Sequence, residues 1–105
     1  MKQYHKLIRD HIPEIIESKG GKAEIRVLSD EEYHVYLEAK LDEEVGEYHR
    51  DKNVEELADI LEVVYALASL HGCSKEELLA VYDEKHEKRG GFERRLLLIE
   101  SERGN

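Results

Sequence analysis

The sequence predicts an all-α fold, an antiparallel helical bundle of about four helices. Two kinds of observation predict it. Ser29-x-x-Glu32, Asn53-x-x-Glu56 and Ser74-x-x-Glu77 each place a helix-capping residue three positions ahead of a glutamate, the capping-box spacing. Apolar residues then recur every three to four positions, with stops at Gly72 and at Gly90-Gly91.

The elements follow in order. Residues 4–10 are mixed in character and read as extended or looped. A short helix is expected from His11 to Lys19, with Asp10 as N-cap, Pro13 in the first turn and Gly20-Gly21 as its stop. Residues 22–28 alternate and carry Ile25 and Val27, which predicts a short strand. The second helix opens at Ser29 and runs to about His49; the third runs from Asn53 to His71; the fourth runs from Ser74 to Arg89. The tail from Phe92 to Ile99 suits a strand or a short helix, and as a strand over 93–99 it would pair with 22–28 in a small two-stranded element. Short connections make consecutive helices antiparallel neighbours. The third helix carries Leu57, Ile60, Leu61, Val63, Val64, Leu67, Ala68 and Leu70, which leaves little of its circumference polar and predicts a buried core helix.

A chain of 105 residues is one domain with a limited core, so a homodimer or homotetramer is expected to supply the missing burial. The lone Cys73 forms no intramolecular disulfide, and no signal peptide or membrane span is read, which together predict a cytoplasmic protein. A formal net charge of −9 argues against nucleic-acid polymers, yet permits a small phosphorylated ligand held through cations.

Four acids stand where apolar residues are expected. On the third helix Glu56 and Asp59, at i and i+3, share an arc that Val63, Ala66 and Leu70 continue. On the second, Glu44 falls inside the stripe of Tyr33, Leu37, Leu41, Val45 and Tyr48, with Glu47 one turn away at its edge. Converging carboxylates raise one another's pKa, and hard oxygen ligands in that number suit Mg²⁺, with Mn²⁺ as a substitute. The competing reading is a solvated face, with Glu56 serving only as Asn53's capping partner.

Glu43-Glu44-x-x-Glu47 followed by Glu56-x-x-Asp59 resembles the paired-acid signature of the MazG-like nucleotide pyrophosphohydrolases, all-α enzymes related to phosphoribosyl-ATP pyrophosphohydrolase. Lys6-Leu7-Ile8-Arg9-Asp10 with Ile12-Pro13-Glu14-Ile15-Ile16 near the start, and Lys88-Arg89-Gly90-Gly91-Phe92 near the end, extend the resemblance over nearly the whole chain. It implies Mg²⁺-dependent cleavage between the α- and β-phosphates of a nucleoside triphosphate, giving a monophosphate and pyrophosphate. It implies Glu44, Glu47, Glu56 and Asp59 as metal ligands. Glu43 and Glu44 are the candidate catalytic carboxylates, with Glu43 orienting the attacking water or a second metal, or simply facing solvent. House-cleaning of deaminated or oxidised nucleotides fits such an enzyme.

Triphosphate needs cations besides the metal. Lys85 and Arg89, at i and i+4 before Gly90-Gly91, are candidates, although basic residues in a last turn also complement the helix dipole. Lys6 and Arg9 are further candidates, and surface pairing is their alternative. The six histidines show no zinc spacing, and no P-loop is present. A di-iron bundle needs inward Glu-x-x-His pairs, and Glu31 with His34 sits at a helix start. A non-catalytic, nucleotide-sensing or interaction module remains the alternative function.

Overall fold

The computed structural model describes residues 4–102. Its fold is all-α, with four helices in chain order: α1 (Ile12–Ser18), α2 (Asp30–Asp51), α3 (Val54–Leu70) and α4 (Lys75–Arg89).

Capping chemistry sets the helix starts. The Ser29 hydroxyl accepts from the Glu32 backbone N–H while the Glu32 carboxylate accepts from that of Ser29, a complete capping box. Ser74 and Glu77 form a second one. Asn53 caps α3 by accepting from the Glu56 N–H at 3.0 Å. The expected return bond from the Glu56 side chain is not made, and that carboxylate is used elsewhere. At α1 the N-cap is His11 rather than Asp10, with no side-chain cap bond. Pro13 lies in the first turn, where its missing N–H costs nothing.

The α2–α3 pair is the centre of the molecule, and the chain reverses between the two helices through Lys52 and Asn53. Lys52 adopts a left-handed φ of 53°, and its N–H donates to the Tyr48 carbonyl at 2.8 Å, closing the end of α2. α4 packs on α3 but not on α2, and its axis is bent 104° from that of α3. The core is correspondingly small: Leu37, Val63 and Ala68 are the buried apolar residues among those described.

Two expectations give way here. No strand forms among the described residues: 22–28 and 93–99 are irregular and mostly exposed, with Val27 92 % accessible. A two-stranded ribbon is marginal without a sheet or helix to cover it, and among the described residues only Ala23 and Leu28 of these two segments are even half-buried. Nor is α3 buried all round. α2 covers one side, leaving Val54, Leu57 and Leu61 exposed along another. No single helix is long and apolar enough to cross a membrane among the described residues.

Candidate metal centre

The tight α2–α3 reversal sets the last two turns of α2 beside the first two of α3. Each helix therefore contributes two acids one turn apart to one space. Glu44, Glu47, Glu56 and Asp59 each place a carboxylate oxygen within 4.8 Å of the others'. Glu44 is buried, at 6 % exposure, and the other three are half-buried. One oxygen of Glu44 and one of Glu56 are shielded from solvent and have no hydrogen-bond partner. Glu56 thus gives up its capping-box bond to face the cluster.

Cations surround the group without saturating it. Lys40 Nζ donates to Glu43 Oε2 at 3.1 Å and lies 3.3 Å from Glu44 Oε1. Arg9 reaches down from the segment before α1, donating from Nη2 to Asp59 Oδ1 at 2.7 Å and from Nη1 to Glu62 Oε1 at 3.4 Å. Lys6 stands 3.5 Å from Glu43 Oε1. Four clustered carboxylates thus face two directly paired cations, leaving a charge deficit that one divalent cation would match.

The electrostatics agree with that deficit. Burial raises the pKa of the Glu44 carboxyl, Lys40 opposes the rise, and Glu47 adds to it. Desolvation likewise raises that of Glu56, followed by the nearby Glu47, Asp51 and Asp59. Burial works against the charge on Lys40, but Glu43 and Glu44 outweigh it and hold its pKa above the ordinary value. A buried, partnerless carboxylate oxygen is costly unless a proton or an ion completes it. The donor set is entirely hard oxygen, so it could hold a hard divalent cation.

The structure brings together the four acids proposed as ligands and sets Arg9 against one of them. Glu43 is not part of the converging group and faces Lys40 and Lys6 instead. Lys85 and Arg89 are not brought to the acids within one chain, because α4 leaves from the far end of α3 without touching α2. Arg89 lines a separate hollow with Gly90, Gly91, Phe92, Arg94 and Arg95. Lys40 is the site residue that pattern reading missed. Its signal was its spacing, i to i+3 and i+4, from Glu43 and Glu44.

A second feature adjoins the acids. A half-open cavity of about 520 Å³ lies between the amino-terminal segment and the α2–α3 groove, and Asp59 belongs to both cavity and cluster.

A stretch of 41 residues is 58 % identical to an uncharacterized protein of Mycolicibacterium smegmatis (strain ATCC 700084 / mc(2)155). The match covers 39 % of this chain and 42 % of that protein, so less than half of the relative is spanned. No family model matches the chain, and no solved structure matches it.

Proposed function

We propose that the protein is a Mg²⁺-dependent nucleotide pyrophosphohydrolase of the MazG-like kind, cleaving a nucleoside triphosphate between its α- and β-phosphates. One observation carries the reading: Glu44 is a buried carboxylate with a partnerless oxygen, and it faces three more carboxylates from two helices. The paired-acid spacing supports the same reaction class. Mg²⁺ would be held by Glu44, Glu47, Glu56 and Asp59, and when bound it supplies phosphate neutralisation and a more acidic water. Lys40 orients Glu44 and Glu43 through its two contacts. Arg9 stands at the edge of the group, where its guanidinium can grip a phosphate with two parallel hydrogen bonds. Glu43, outside the ligand set and paired with Lys40 and Lys6, would orient the attacking water.

The active form in this proposal is a homodimer or homotetramer in the cytoplasm. The chain exposes 9750 Å². A compact monomer of its mass, 12.3 kDa, exposes only about 6,100 Å². The radius of gyration is 18.5 Å, against about 13 Å for a compact domain of this length. A subunit interface removes excess exposed area of this kind from solvent. A second copy is also the natural source of Lys85 and Arg89 near the acids, since they are remote within one chain.

The test is pyrophosphate release from a panel of ordinary, deaminated and oxidised nucleoside triphosphates and phosphoribosyl-ATP, with and without Mg²⁺. Mg²⁺-dependent release from a panel member is expected, and the ranking names the substrate. Silence across the panel from folded, metal-loaded protein overturns the enzyme reading in favour of a nucleotide-sensing module.

A further inference from the structure

The cavity and the acid cluster are successive stretches of one groove. Along α2, Tyr33, Leu37 and Lys40 line the cavity, and Glu44 lies one turn further on the same face. Along α3, Asp59, Val63 and Ala66 line it, with Glu56 one turn before. The clustered carboxylates, Lys40 and Arg9 occupy one end of the groove, and Tyr33, Leu37, Val63 and Ala66 supply an apolar wall beyond them. Asp10, His11 and Glu62 also line the cavity, and Glu62 is held by Arg9. The amino-terminal segment roofs the apolar end with Leu7, Ile8, Ile12 and Ile15. α1 makes no helix–helix packing among the described residues, and ion pairs tie the segment before it to the groove, Lys6 to Glu43 on α2 and Arg9 to Asp59 on α3. The span from Asp59 to Ala66 is about 10 Å of helix, and about 520 Å³ falls in the usual size range of small-molecule sites.

We infer that this cavity seats the base and ribose of a nucleotide whose phosphates lie at the carboxylate end of the groove. The inference rests on the nucleotide reading above and adds where the organic half binds and what selects it. An apolar wall with one aromatic, Tyr33, favours a flat ring over a phosphate or sugar alone. Lys40 and Arg9 stand at the boundary, where the ribose would give way to phosphate. Filling the cavity should therefore cost nucleotide affinity and leave pyrophosphate affinity alone.

The experiment compares Mg²⁺-dependent binding of inorganic pyrophosphate with that of the α,β-methylene analogues of ATP and dUTP, by calorimetry on wild type and Ala66→Phe. In wild type at least one analogue is expected to bind more tightly than pyrophosphate. In Ala66→Phe that analogue should weaken at least about ten-fold, with pyrophosphate within about two-fold. Methyl NMR of the wild type supplies a readout independent of the variant's folding. Ile12, Ile15, Val63 and Ala66 should shift with the analogue and stay put with pyrophosphate. Weakening of neither ligand or equal weakening of both in the variant, or still methyls in the wild type, overturns the cavity assignment alone. So does an Ala66→Phe chain that changes its oligomeric state while keeping its nucleotide affinity, since a second copy then fills the space. A wild type that binds neither pyrophosphate nor analogue with Mg²⁺ overturns the nucleotide reading itself, and this inference with it.

Discussion

Replacing Glu44 by glutamine should stabilise the metal-free protein, although the residue is buried and bonded. Glu44 shares a 4.8 Å sphere with three other carboxylates. At an effective dielectric of 20, each like pair at that separation repels by about 3.5 kcal/mol, and an attraction at 3.3 Å returns about 5 kcal/mol. The latter is the Lys40–Glu44 distance. The three repulsions exceed the one attraction by roughly 5 kcal/mol before screening. Two effects reduce that figure. Glu47, Glu56 and Asp59 are half-buried and partly screened by water. Proton uptake also caps the cost, at about 4 kcal/mol near pH 7.5 for a carboxyl of ordinary pKa. A net gain of about 1–2 kcal/mol is the reasonable outcome, a Tm rise of about 5–10 °C for a chain of this size. The pH dependence has a definite sign. The Glu44 pKa is raised in the folded state, so its favourable share is complete below the ordinary glutamate value and is lost as pH rises through the folded value. The gap between variant and wild type should therefore widen from acid toward neutral pH. Mg²⁺ should then raise the wild-type Tm and leave the variant nearly unmoved. Calorimetric melts with chelator and with excess Mg²⁺, at several pH values, measure all three effects. A variant that melts below the wild type without metal, or gains as much from Mg²⁺, refutes the reasoning.

Three further outcomes are expected. Asp59→Asn should lower turnover at saturating Mg²⁺ at least about 100-fold with an unchanged far-ultraviolet spectrum; near-normal rates would remove Asp59 from the site. Wild-type protein should sediment as a dimer or larger, and Leu61→Glu, in the exposed Val54–Leu57–Leu61 stripe, should raise the subunit dissociation constant at least about ten-fold. A wild type that sediments as a monomer at micromolar concentration would count against the assembly. Glu32 should titrate at about 2, because Arg26 donates to its carboxylate and the Ser29 N–H adds a second bond. Its contribution to the α2 start is present above the ordinary glutamate value and fades only as pH falls toward 2. Carbon-detected NMR titration of wild type and Arg26→Ala checks this, with the midpoint moving up in the variant.

The parts of the fold and site that were legible in the sequence are those set by local chemistry. Ser29, Asn53 and Ser74 fix helix starts because their side chains bond an N–H three residues on, and no distant contact is needed. The four acids converge because each helix repeats them one turn apart and a two-residue link forces the helices together. What escaped depends on partners across space. The alternation in 22–28 satisfies strand chemistry, but a strand exists only against another, and among the described residues no second strand forms beside it. The apolar circumference of α3 reads as a core helix, yet Leu57 and Leu61 remain 47 % and 48 % exposed. Periodicity reports that a face is apolar and is silent on which molecule covers it. Lys85 and Arg89 show the same limit from the polar side: their spacing suits a phosphate, but the 104° turn between α3 and α4 carries them away from the carboxylates. If the exposed stripe on α3 and the displaced cations on α4 are two signs of one missing neighbour, a single contact between copies answers both. A mixed-subunit experiment then has a definite result. Inactive Asp59→Asn chains combined with inactive Arg89→Ala chains should regain part of the activity, because one site in the mixed assembly would hold intact acids from one copy and an intact Arg89 from the other.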